Sequence, residues 1–209
     1  MKARSFPLYF SLGVLVLALL VGAGMALAQG PPQTAPASGL DTTLTLYPSA
    51  DTYVGRLVAT NNYGRRDVLN VGKENCPGRE FPEWGRTLIR FDLSAVPHGQ
   101  TIQSATLYLY QRYSLGAASN FIGVYRVLSN WTETGATWNN QPSHYATADA
   151  LTNVGRTTNT WYQWDITALV RQWYRGTYTN YGLKLVSRGE PDCNMRVFDS
   201  REGFYDPRL

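Results

Sequence analysis

The sequence predicts an all-β fold, a β-sandwich with one short helix, and three observations carry that prediction. Charged residues make up only 16% of the 209-residue chain, against about 25% in an average soluble domain. Aromatic residues reach 13%, as 14 Tyr, 7 Phe and 6 Trp, the types that pack well on pleated surfaces. The 19 Gly and 11 Pro cut the chain into short apolar runs bounded by turn signals.

The amino terminus reads as a targeting segment. Lys2 and Arg4 precede an uncharged stretch over 5–40 that contains the apolar run 12–21. Ala26 and Ala28 flank Leu27 in the small-x-small shape that signal peptidase reads, which predicts a signal peptide over 1–28. The stretch 8–28 is also long enough to span a bilayer if left uncleaved, since about 20 apolar residues suffice. Residues 29–39, rich in Pro, Ala and Ser, form a linker with no apolar periodicity. The folded domain is expected over 40–209. Nineteen basic residues less Lys2 and Arg4, against fifteen acidic, leave a charge of +2 after cleavage. That small excess argues against nucleic acid as a partner, because counterion release needs a strong basic field. After cleavage no membrane association is expected, and the protein is read as secreted to the extracellular region.

Strands are expected at 43–47, 51–54, 68–71, 87–93, 105–110, 121–128, 161–164, 183–186 and 195–198. Alternation orients them: Thr87, Ile89, Phe91 and Leu93 share one face, leaving Arg90 and Asp92 on the other, and Leu107 and Leu109 oppose Tyr108 and Tyr110. The segment 165–175 breaks the pattern. Ile166, Leu169, Val170 and Trp173 fall at i, i+3, i+4 and i+7 between a cap at Asp165 or Thr167 and Gly176, which is helical spacing. No fixed-period repeat appears, which disfavours solenoids and propellers.

Catalytic signatures are sparse. His98 and His144 sit in loop-like segments as surface residues, and no nucleophile elbow, zinc helix, phosphate loop or calcium loop is found. A glycosidase needs only two facing carboxylates, so Glu133, Asp165, Asp199 and Glu202 are the acids to consider. Asp165 reads better as a helix cap, and Asp199 to Glu202 as a charge-paired strand end. The chain is therefore read as a non-enzyme. Cys76 and Cys193 lack C-x-x-C spacing and a neighbouring His, so a single structural disulfide is favoured over a metal or redox pair.

Binding features are richer. Trp138, Trp164 and Trp173 read as core, while Trp84, Tyr63 and Tyr113 lie in loop-like segments where a flat ring can stack on a pyranose. Between positions 56 and 90, Arg56, Arg65, Arg66, Lys73, Arg79, Arg86 and Arg90 outnumber Asp67, Glu74, Glu80 and Glu83. Arginine pairs bidentately with carboxylate or sulfate; the plainer reading is a solvated strand edge. The expected ligand-binding set is Arg56, Arg65, Arg66, Lys73 and Arg79 for charge, with Tyr63 and Trp84 for stacking.

An ordered series of phrases runs through the domain: Ala50-Asp51-Thr52-Tyr53-Val54, Asn62-Tyr63-Gly64, Leu69-Asn70-Val71-Gly72, the run 86–94, the run 102–109, Trp131-Thr132-Glu133, Thr137-Trp138-Asn139, Asn180-Tyr181-Gly182-Leu183 and Ser200-Arg201-Glu202. Together they resemble the DNRLRE domain, carbohydrate-binding module family 96. The resemblance implies a jelly-roll-like antiparallel sandwich from secreted bacterial proteins, an extracellular polysaccharide ligand such as alginate, and no catalytic residues. It also implies a buried Asp51–Arg201 ion pair and a turn at Trp138-Asn139. The signature hexapeptide is only loosely matched by 198–202. The family usually continues past Pro207-Arg208-Leu209 into a final apolar strand, so the last strand is expected to be truncated or a stub. A structural calcium ion suits sandwiches of this kind, although no ligand set is assignable from sequence and no other cofactor is expected. The rival function is a structural or adhesive cell-surface module with no free-sugar ligand.

Overall fold

The computed structural model describes residues 42–80 and 83–209; the expected signal peptide and linker lie outside them. Nine strands and one helix follow in the order β1 (Pro48–Gly55), β2 (Val68–Lys73), β3 (Trp84–Phe91), β4 (Thr106–Gly116), β5 (Asn120–Arg126), β6 (Ala150–Val154), β7 (Thr160–Asp165), α1 (Thr167–Tyr174), β8 (Leu183–Ser187) and β9 (Asn194–Asp199). Every named ladder is antiparallel. The strands run β6-β5-β8-β3-β2-β9-β4-β7, with β1 joined to β3. Thr152 Oγ1 of β6 donates to the Gln163 carbonyl of β7 at 2.7 Å, so the two ends of the path meet and the sheet curls into a nearly closed, barrel-like sandwich. Closure of this kind removes exposed strand edges.

Alternation places the core as the sequence predicts. Leu69, Val71, Ile89, Phe91, Leu107, Leu109, Ile122, Val124, Trp164, Leu185 and Phe198 fill the interior. α1 adds Leu169, Val170 and Trp173 to the same core. Asp165 Oδ1 accepts both the N–H and the hydroxyl of Thr167 just before the helix, and Gly176 follows it at φ 72°. Leu88 departs from the simple pattern. It points away from the main core yet is buried, packed with Ala50, Val54, Val127, Trp131 and Ala136 in a second cluster.

Four expectations need correction. Residues 43–47 form no strand; Leu46 instead exchanges two backbone hydrogen bonds with Leu209, and one such pair is too little to make a ladder. Arg208 bridges Tyr108 in the same stub. β6 was not anticipated, because Ala150-Leu151-Thr152-Asn153-Val154 is short and its apolar residues do not alternate, Leu151 standing on the exposed face. β4 runs past the predicted 110 to Gly116, since Gln111 is buried with its Nε2 donating to the Gly155 and Thr157 carbonyls. His144 is half-buried, bridged to Val127 and packed 4.7 Å from the Tyr125 ring, so it is no free surface residue.

Candidate functional site

The corner where β1 ends is zipped to the start of β3, the Arg56 N–H donating to the Trp84 carbonyl at 3.0 Å. Glu83 locks it from the other side. Its Oε1 accepts the N–H of Leu57 at 3.1 Å and of Trp84 at 2.8 Å. Gly55 is needed beneath this carboxylate, since a Cβ there would lie 2.7 Å from Glu83 Oε2. The Lys73–Trp84 strand pairing brings in the end of β2.

This corner gathers three of the residues expected to bind. The Arg56 guanidinium carbon sits 3.9 Å, and Lys73 Nζ 3.8 Å, from the Trp84 ring centroid. Arg56, Leu57, Asn75 and Trp84 line an open groove of about 360 Å³. The wall beyond Asn75 is pinned by the Cys76–Cys193 disulfide, as the sequence predicts. Lys73 has only a distant acid, Asp192 at 3.8 Å, and Arg56 forms no ion pair among the described residues.

The other expected residues are placed differently. Arg79 is paired with Glu74 at 2.9 Å. Tyr63 lies half-buried on the β1–β2 connection and stacks on Tyr53, ring centroids 4.3 Å apart, so one of its faces is used inside the protein. Arg65 and Arg66 follow on the same connection, exposed and without an ion pair among the described residues. Tyr113 is exposed on β4. Trp164 and Trp173 are core as expected, whereas Trp138 is half-buried at the turn the resemblance implied, with Arg86 at 4.8 Å from its ring.

Sequence reasoning missed an aromatic surface on the outward faces of β4 and β7. Tyr110 meets Tyr205 at 4.0 Å and Trp161 at 5.4 Å, and Arg208 lies 4.0 Å from the Trp161 ring. The outward register of Tyr110 was readable; its pairing with Trp161 and with the carboxy-terminal segment was not.

The candidate acids do not face each other across a cleft. Asp165 is occupied by the N–H and hydroxyl of Thr167 at the start of α1, whose N-cap position is Ile166, and Asp199 is held by Arg112 Nε at 2.6 Å. Glu133 and Glu202 instead converge on Asp51, with one oxygen from each carboxylate within 4.8 Å of the others. Glu133 completes the edge of β1, its Oε1 accepting the Asp51 N–H at 2.8 Å. The ion pair expected between Asp51 and Arg201 is not formed. The Arg201 backbone N–H donates to Asp51 Oδ2 at 2.9 Å, while its guanidinium reaches Ser49 O, Glu133 and Glu202. Burial, with Glu202 and Glu133 adding their charges, pushes the Asp51 carboxyl up to about 7 against the Arg201 N–H and guanidinium. Burial likewise raises Glu202.

A rigid antiparallel scaffold that presents an indole ringed by cations in an open groove is an arrangement suited to holding sugar rings. The model of carbohydrate-binding module family 96 matches residues 42–209, and the chain belongs to that family. No curated protein matches it. Binding of carbohydrate, the defining property of such modules, is thereby attached to this fold.

Proposed function

We propose that the protein is a secreted, non-catalytic module that binds an acidic extracellular polysaccharide, a uronic-acid polymer such as alginate, in the groove beside Trp84. One observation carries this reading: two cations rest on a single indole ring, Arg56 with no ion pair among the described residues and Lys73 with only a long one, 3.8 Å to Asp192. Cation–π contact at an exposed site is worth about 0.5–1 kcal/mol, which holds the side chains in place yet leaves them easily recruited. A uronate ring that displaces one of them from the indole supplies its carboxylate as the new partner. The exchange yields a charge-assisted hydrogen bond together with a stacked pyranose. Arg65 and Arg66, on the connection that follows Arg56, extend the positive surface for further residues of a long chain. The disulfide and the family's carbohydrate ligands support an extracellular setting.

The test is affinity electrophoresis through alginate and neutral glucans, with salt varied, for wild type, Trp84→Ala and the Arg56→Ala/Lys73→Ala pair. Each exposed cation contact is worth about 1 kcal/mol, roughly fivefold in Kd. The double variant should bind the acidic polymer at least tenfold more weakly and with a shallower salt dependence. Unchanged affinity and salt slope in both variants would sink the site, and equal retardation by neutral glucans would remove the acidic specificity.

A further inference from the structure

We propose that Asp51, Glu133 and Glu202 bind a calcium ion that ties β1, the 131–136 loop and the segment after β9 together. An acidic cluster alone would not carry this. The second observation is Asp51 itself, 1% exposed, whose Oδ1 is buried with no hydrogen-bond partner among the described residues. An unsatisfied buried carboxylate oxygen is costly, and here it belongs to a carboxylate whose neighbours are two more.

The three carboxylates are held in a common way. Asp51 Oδ2 accepts the Arg201 N–H, Glu133 Oε1 accepts the Asp51 N–H, and Glu202 Oε2 lies 3.1 Å from the Ser200 hydroxyl, whose single proton it shares with the Arg66 carbonyl at 2.7 Å. One oxygen of each is thus anchored and the carboxylate is oriented before any ion arrives. Among the described residues the second oxygens of Asp51 and Glu133 accept no hydrogen bond, and that of Glu202 meets Arg201 Nε at 3.3 Å.

Charge points the same way. Three acidic side chains face a single guanidinium. Arg201 engages loosely, at 3.3 Å to Glu202 and 3.5 Å to Glu133, where Arg112 and Arg126 meet their acids at 2.6–2.7 Å. Coordination preference selects the ion. Oxygens that lie within 4.8 Å of one another fit on one calcium shell, whose ligands lie about 2.3–2.6 Å out, and calcium accepts an irregular oxygen set where magnesium demands a near-ideal octahedron.

The site is coupled to the basic connection between β1 and β2. Asn62 Nδ2 donates to the Glu133 carbonyl at 2.7 Å, and the Ser200 hydroxyl donates to the Arg66 carbonyl at 2.7 Å. An ion that fixes Glu133 and the 199–202 segment therefore also stiffens the stretch that displays Tyr63, Arg65 and Arg66.

The experiment is thermal unfolding and isothermal titration of the purified, chelator-stripped protein with calcium chloride, and with magnesium chloride in parallel. Binding of one calcium per chain with a Kd of about 0.1–1 mM, as in extracellular modules, should raise Tm by several degrees. Magnesium at equal concentration should do much less. Glu202→Gln should keep the wild-type circular dichroism in chelator and lose the calcium response, and Glu133→Gln serves the same purpose if that variant does not fold. Absence of both binding heat and a Tm shift in the wild type at about 10 mM calcium chloride overturns the proposal. So does a response that persists unchanged in the folded variant, because the ion would then sit elsewhere.

Discussion

Replacing both half-cystines, as Cys76→Ser/Cys193→Ser, perturbs the groove wall and the fold's unfolded state at once, and the structure separates the two effects. The bridge spans 117 positions. In the chain-entropy treatment, closing a loop of that length removes about 16 cal/mol/K from the unfolded chain, or roughly 5 kcal/mol at 25 °C. A domain of this kind has only about 5–15 kcal/mol in total, so the variant should sit near the edge of stability. The native geometry does not depend on the bond to the same degree. Lys73 pairs with Asn194 in the β2–β9 ladder and with Trp84 in β3, and the Ala117 N–H donates to the Cys193 carbonyl at 3.1 Å. Those contacts hold the two cysteine-bearing segments together without sulfur. Urea unfolding followed by circular dichroism should therefore show a loss of about 3–5 kcal/mol, with a larger m-value because the freed chain expands further. Glycan affinity of the fraction still folded should change by less than about twofold, well under 1.4 kcal/mol. A stability loss below about 1 kcal/mol would refute the unfolded-state argument. A large affinity loss in folded protein would show instead that the bond shapes the groove.

Two further predictions concern the scaffold. Lys184 is 2% exposed, its ammonium donating to Gln141 Oε1 and the Pro142 carbonyl, and burial together with Arg86 lowers it from 10.5 to about 8. Below pH 8 both folded and unfolded states hold the proton and the burial penalty is complete; between 8 and 10.5 the unfolded state binds more protons, so stability rises with pH by up to about 3 kcal/mol. Tyr53, raised by burial, opposes this above pH 10, so urea midpoints should climb from pH 7 to 9.5 in wild type and stay flat in Lys184→Met; parallel curves would refute the assignment. Gly116→Ala and Gly78→Ala share a left-handed backbone, at φ 83° and 84°, but differ in space: a Cβ on Gly116 would lie 1.5 Å from the Cys193 carbonyl oxygen, and one on Gly78 meets nothing within 4 Å. Chemical denaturation should give a loss of about 1 kcal/mol for Gly78→Ala and about 3 kcal/mol or more for Gly116→Ala, and equal losses would show that the clash is relieved by movement.

The strands that were legible are those in which one face is buried by local alternation, as in Leu107 and Leu109 against Tyr108 and Tyr110. The illegible parts are polar residues buried by contacts from distant sequence. Arg196 shows why. A fully buried arginine in β9 has no carboxylate partner among the described residues; its guanidinium donates to the carbonyls of Val154, Gly155, Leu115, Met195 and Ala117. Four of those acceptors come from the ends of β4 and β6 and the residues just after them, Leu115, Ala117, Val154 and Gly155, far from Arg196 in sequence, so local pattern gives no sign of its burial. Gln111 and Asn120 are buried in the same manner, Asn120 Nδ2 donating to the Asn194 carbonyl. At the site, the local excess of basic residues was readable, but pairing decides which of them remain available. Arg79 is absorbed by Glu74, while Arg56 and Lys73 are delivered to one indole by strand register. The acid cluster was half visible, in Glu133 and Glu202, and the mistaken Asp51–Arg201 ion pair hid its third member.

The near-neutral charge of the domain conceals how the cations are divided. Arg86 with Glu190, Arg112 with Asp67 and Asp199, and Arg126 with Asp149 are engaged at 2.6–2.8 Å and build structure. Arg56, Arg65 and Arg66 lie within one connection, and none has an acidic partner among the described residues. A field so confined decays within about 8 Å at physiological ionic strength, which is the reach of adjacent sugar residues and not of a distant encounter. On the proposed reading such a surface would distinguish acidic polymers by the spacing of their carboxylates once they are in contact. For the proposed polymer ligand the open groove beside Trp84 has a corresponding shape, since an enclosed pocket would select a chain end instead.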